Sequence, residues 1–171
     1  MNYYIDAVLE LLSESCILER YYPLIKFKEE VVSKLKSNGI FTKEIALQLS
    51  DDFYLTIFSD SNLIRLFKKF LVMYDVNENK FKEIEKMKIE ESIKESYREL
   101  YLLPGVKEVR ANLYYKCGIK SLDDIYSKNY DEIIKILRNG IKKNNLASKL
   151  PLPKEINTHI VVAKLYVIYK V

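Results

Sequence analysis

A chain of 171 residues, 49% hydrophobic and 30% charged, holds enough apolar material for one domain or two small ones. With four glycines and four prolines it is neither disordered nor fibrous, and abundant Leu, Ile, Lys and Glu favour helices. The net charge of +4 is unevenly spread: residues 100–171 carry 13 Lys and Arg against 6 Asp and Glu, whereas residues 1–99 carry 15 against 18. The positive excess lies in the C-terminal part and points to a polyanion there. A codon bias towards Lys, Ile, Asn and Tyr would raise the lysine count equally, so position has to decide.

In chain order, the apolar positions Ile5, Val8, Leu12 and Cys16 predict a helix over 3–20. Pro23 suits the opening of a second, with Leu24, Val31, Val32 and Leu35 inside and Gly39 just past its end. Thr42 begins a short helix containing Ile45, Ala46 and Leu49, and Ser50 and then Asp60 or Ser61 cap two more. "DVNENK", 75–80, reads as a linker. It divides the chain into an N-terminal helical bundle, 1–80, packed beside a second domain, 81–171, unless the two form one continuous globule.

A long charged helix is expected over 81–102, burying Ile89, Ile93, Tyr97, Leu100 and Tyr101, with Glu90 and Lys94 in the favourable i,i+4 order. Ser121 caps a short helix, and Asn129 with Glu132 forms a capping box for the next, which Gly140 ends. Residues 139–153 read as loop, with Pro153 opening the final segment. There Ile156, Ile160, Ala163 and Val167 recur at helical spacing, so helix is favoured over strand and the fold class is all-α.

Two internal echoes stand out. Gly39-Ile40-Phe41-Thr42 parallels Gly118-Ile119-Lys120-Ser121, which chance suffices to explain. Leu150-Pro151-Leu152-Pro153-Lys154-Glu155-Ile156 parallels Leu103-Pro104-Gly105-Val106-Lys107-Glu108-Val109, as a degenerate duplication would.

Several function classes find no support. The N-terminal stretch carries Asp6 and Glu10 inside its apolar stripe, unlike a secretory signal. The run "HIVVAKLYVIYKV" is short and broken by Lys164, unlike a membrane span. Cys16 and Cys117 match no metal spacing and are expected as free thiols in a reducing cytoplasm. His159 is the only histidine, so neither a His-paired nucleophile nor a multi-histidine metal site can be built. Asp123 and Asp124 suit a helix N-terminus, Glu90, Glu91 and Glu95 a solvated face, and no glycine-rich nucleotide motif occurs. A non-enzymatic protein is the expectation.

The informative stretch is "ELYLLPGVKEVRANLYYKCGIKSLDDI", 99–125. Pro104 cannot continue a helix and Gly105 can take the positive φ of a sharp reversal, so helix 81–102 must hand over to a second, 107–117. That second helix is expected to bury Val106, Val109, Leu113 and Cys117 and to stop at Gly118, with Ala111 permitting close approach. Such a reversal leaves the first amides of the new helix without internal acceptors. With Lys107 and Arg110 flanking them and Tyr114 a turn further on, these amides form a ready phosphate site.

Leu103-Pro104-Gly105-Val106, Ala111, Leu113, Gly118-Ile119, Ser121-Leu122 and Ile125 together resemble the helix-hairpin-helix superfamily of DNA-binding proteins. The wider region, about Ile93 to Tyr169, is similar to a group of proteins with helix-hairpin-helix-like domains and no assigned chemistry. The resemblance implies sequence-independent contact with DNA phosphates through the hairpin backbone, placed here on Gly105, Val106, Lys107 and nearby Arg110. It also implies that a monovalent cation is sometimes held by hairpin carbonyls; no other cofactor is expected. One departure matters: the family's second hairpin glycine is Lys107 here, and no glycine stands near Leu152-Pro153 to make a second full hairpin.

Lys135, Arg138, Lys142, Lys143 and Lys149 could extend a basic face, and Tyr114, Tyr115, Tyr126 and Tyr130 could stack on bases, although a solvated face and half-buried packing account for them as well. Some relatives in the superfamily are glycosylases; "INTHI" resembles their Asp-Thr-His segment but carries Asn157 in place of the carboxylate, which argues against that chemistry. The expected function is low-specificity nucleic-acid binding, DNA ahead of RNA, without membrane contact. The alternative is a protein-interaction or dimerisation module using the same helices.

Overall fold

The computed structural model describes residues 3–73, 75 and 78–169, and within them every regular element is helical, as expected. The chain divides into two compact units, Met1–Asp75 with Tyr169–Val171, and Val76–Ile168.

The first unit contains α1 (Tyr3–Leu11), a 3₁₀ segment (Glu19–Phe27), α2 (Lys28–Ser37), α3 (Lys43–Gln48), α4 (Asp51–Leu55) and α5 (Ser61–Leu71). Ile5, Val8, Leu12 and Cys16 are all buried, yet α1 stops at Leu11. Ser13 ends it: its amide turns to the Leu11 carbonyl and its hydroxyl to that of Glu10. Pro23 lies inside the 3₁₀ segment instead of opening α2. Thr42, Ser50 and Asp60 cap α3, α4 and α5 through their side-chain oxygens. Tyr54, Phe58, Phe67 and Phe70 form an aromatic core, and the buried Tyr54 hydroxyl donates to the Ala46 carbonyl at 2.6 Å.

The second unit contains α6 (Asn79–Lys86), α7 (Glu91–Leu100), α8 (Glu108–Lys116), α9 (Leu122–Tyr126), α10 (Tyr130–Lys143) and α11 (Pro153–Lys164); a π-helical turn, Leu165–Tyr169, follows α11 in the chain. The long helix expected over 81–102 is thus two helices, with extended backbone at Met87 and Glu90. The break lets α6 fold back on α7. Arg98 holds Glu85 at 2.7 Å and Glu91 at 2.8 Å, and Lys94 donates to the Glu85 carbonyl rather than serving an i,i+4 pair. Asn79 and Lys80, read as linker, are the first residues of α6; positions 76 and 77 lie outside the described residues.

Gly140 does not end its helix. It sits inside α10, where a Cβ would lie 2.7 Å from the Cβ and 2.9 Å from the Cα of Cys117, so its missing side chain lets α8 and α10 touch. The helix ends instead through Asn145, at φ +49, with the amides of Asn145 and Leu146 donating to Lys142 and Ile141.

The Gly39 and Gly118 echo is one local device used twice. Each glycine has positive φ, the following isoleucine amide returns to the helix (Ile40 to Leu35, Ile119 to Tyr114), and the hydroxyl three residues on caps the next helix. Ser121 and Asp124 form a reciprocal capping box, as do Asn129 and Glu132.

Candidate nucleic-acid interface

Between α7 and α8 the chain reverses at Pro104–Gly105. Leu103 and Val106 are fully buried and act as pegs, and the Val106 amide donates to the Leu103 carbonyl at 3.2 Å. Gly105 takes φ +72 with open space around it, and both Gly105 and Lys107 are exposed. Lys107 is the extended residue before α8 and its side chain makes no cap. The amides of Glu108, Val109 and Arg110 therefore begin a nine-residue helix with no intrahelical acceptor.

Not every residue assigned to this site faces it. Val106 is buried and its amide is already used within the turn. Arg110 does not project as a free cation: Nε lies 2.8 Å from Glu155, an Nη lies 3.1 Å from the same carboxylate, and the other Nη donates to the Lys149 carbonyl. It straps α8 to α11 and to the preceding loop. Tyr114 is buried, with its hydroxyl 2.7 Å from Nδ1 of His159, and burial pushes its pKa upward, so it cannot stack on a base.

Val109, expected in the core, is 76% exposed, and the buried side of α8 is Ala111, Leu113 and Tyr114. Val106 belongs to the turn, so carrying its phase along the helix misplaces Val109. Because the Arg110–Glu155 pair is about three-quarters buried, Arg110→Met, which strands the carboxylate, is expected to cost about 1–3 kcal/mol in urea denaturation.

Lys135, Arg138, Lys142 and Lys143 are all exposed on α10. The end of that helix meets the far end of α8, where Asn144 donates to the Lys116 carbonyl at 3.0 Å, roughly 13 Å along the axis from the corner. The cations nearer the corner are Lys149, returned by the loop before α11, and Lys80 of α6. Burial lowers the pKa of Lys80, and the charge of Lys107 lowers it further, which places the two ammonium groups in one field. Sequence reasoning missed Lys80 because the linker assignment put it outside any helix. Gly105, Lys107, Val109, Arg110, Lys149 and Glu155 line a cleft of about 380 Å³ at this end of α8.

The Leu103 carbonyl already accepts from Val106, and the Pro104 carbonyl accepts from His159 at 2.8 Å. Among the described residues no His, Cys, Asp and Glu cluster could hold a metal ion, and no helix is long and apolar enough to cross a membrane.

Over 51 residues the chain is 41% identical to a segment of the ATP-dependent DNA helicase Hel308 of Thermoplasma acidophilum. The match covers 30% of this chain and 8% of the helicase. No protein-family profile and no solved structure matches. Part of the chain is therefore similar to a piece of a DNA helicase.

Proposed function

We propose that the C-terminal unit is a non-enzymatic, low-specificity nucleic-acid-binding module of helix-hairpin-helix type, with DNA as its main partner. The observation that carries this reading is the exposed Gly105–Lys107 corner at the start of an uncapped α8. The partial likeness to a DNA helicase supports it. A backbone phosphate docks on the Gly105 amide and the first amides of α8, while Lys107, Lys149 and Lys80 supply the cationic field. The contact is generic, because amides and ammonium groups at a phosphate carry no base information.

Glu108 opposes this field. It is exposed at the first helical position, where its carboxylate occupies the potential a phosphate needs. Binding should therefore be modest, on the order of micromolar, and Glu108→Gln should tighten it about threefold to tenfold in fluorescence polarisation at low salt.

A salt titration on labelled duplex and single-stranded DNA tests the reading. Log affinity should fall linearly with log salt, with a slope of about −0.9 per neutralised phosphate on duplex. A flat profile, or no binding at low salt, rejects it. The second reading is a protein-interaction module that uses the same helices, with the 76% exposed Val109 on its outer side. That module would show concentration-dependent sedimentation and no salt-sensitive DNA signal.

A further inference from the structure

His159 on α11 is 1% exposed, and its ring spans the corner and α8. Nε2 lies 2.8 Å from the Pro104 carbonyl and Nδ1 lies 2.7 Å from the Tyr114 hydroxyl. A carbonyl can only accept, so Nε2 carries the proton; Nδ1 of the neutral ring then accepts from the Tyr114 hydroxyl. The ring ties α11 to the corner and to α8, which lie 55 and 45 positions away in sequence.

The Pro104 carbonyl and the Gly105 amide belong to one trans peptide plane, and there they point in opposite directions. Holding that carbonyl inward against His159 therefore turns the Gly105 N–H outward, towards solvent. Without this hold the plane is free to rotate, because glycine accepts either sign of φ. We infer that His159, backed by Tyr114, is a positioning residue that aims the Gly105 amide at the bound phosphate. This rests on the phosphate reading of the corner and adds to it a dependence on acidity.

The hold needs a neutral ring. The Tyr114 hydroxyl can turn and accept from a protonated Nδ1, so what opposes a charged ring is its burial: an imidazolium leaves the slot for water and releases the carbonyl. Burial is the main force keeping the ring neutral. Arg110 on α8 and Lys80 on α6 act in the same sense, while the Pro104 carbonyl and Glu155 act against them, and the balance sets the pKa below its usual value. The stabilisation from the neutral ring is complete above about pH 6.5 and is lost as pH falls from there through the lower folded-state value. In the folded chain the ring charges, and the hold is released, only as pH falls through that lower folded-state value, and DNA affinity should fall there. Ordinary electrostatics gives the opposite sign, since a chain that takes up protons becomes more cationic and attracts phosphate more strongly.

The test uses the full chain and a fluorescein-labelled duplex between pH 7.5 and 5, with ¹⁵N spectra of the Gly105 amide recorded alongside. Wild-type affinity should decline over the pH range in which the His159 ring itself titrates, below its usual value. His159→Leu should bind about fivefold to tenfold more weakly at pH 7.5, while His159→Gln, which can still donate to Pro104, should recover most of the loss and tighten on acidification. Wild type tightening steadily through the pH range in which the His159 ring titrates, or His159→Leu binding as well as wild type, overturns the inference. If His159→Leu does not fold, the pH profiles of wild type and His159→Gln decide. If wild type binds no duplex at any salt, the phosphate reading fails on its own. The strut is then judged by the Gly105 resonance, which must shift as His159 titrates and overturns the strut if it stays still.

Discussion

Gly140→Ala is expected to lower the melting temperature of the C-terminal unit by about 2–12 °C, although alanine is the better helix former. In a solvated helix the exchange would gain about 1 kcal/mol. Here the new methyl would sit 2.7 Å from the Cβ and 2.9 Å from the backbone Cα of Cys117. No rotamer change relieves a clash with backbone, so α8 and α10 must separate, and overpacking of this kind costs about 1–3 kcal/mol beyond the propensity gain. For a protein of this length each kcal/mol moves the transition by about 2–4 °C. Adding Cys117→Ala removes only the thiol and should rescue little. Adding Cys117→Gly removes the Cβ as well and should recover more than half of the loss by circular dichroism. A Gly140→Ala protein as stable as wild type would mean that the two helices do not cross there.

Lys107→Glu should reduce duplex affinity at least tenfold near physiological salt and make the salt slope shallower by about one unit. The side chain is exposed beside Gly105 and shares its field with Lys80, so on the proposed reading reversing its charge removes one phosphate contact and adds repulsion. Arg110→Glu would not give an equivalent result, because Arg110 is spent on Glu155 and its loss reads out as instability. Equal affinity of Lys107→Glu and wild type would remove the corner from the binding surface while leaving the fold unaffected. The two lysine and arginine substitutions, read side by side, separate a surface contact from a strap.

What could be read from the sequence was what is settled within a few residues. The caps at Thr42, Ser50, Ser121 and Asn129 are bonds between neighbours, and so are the positive-φ turns at Gly39, Gly105 and Gly118. What escaped depends on distant partners. Nothing in "EKMKIEE" breaks a helix by itself; the break at Met87–Glu90 is held by Arg98 and Lys94 from the following helix. Arg110 looked like a phosphate ligand because its partner Glu155 lies 45 positions away. Gly140 was misread because a helix end and a close crossing both exploit a missing Cβ, and only the fold tells them apart. The corner itself was legible in outline, but its buried support through His159 was not.

The paired connectors at Gly39–Thr42 and Gly118–Ser121 have a consequence for how the chain assembles. Their closing bonds reach back no more than five residues, Ile40 to Leu35 and Ile119 to Tyr114, so both changes of direction can be set before any distant segments meet. The turn after α8 can thus nucleate early, with Ile119 and Leu122 already oriented as an apolar seed. The arriving α11, which carries His159, would then dock beside a turn already formed, and the contacts of its ring with Pro104 and Tyr114 would close late in folding.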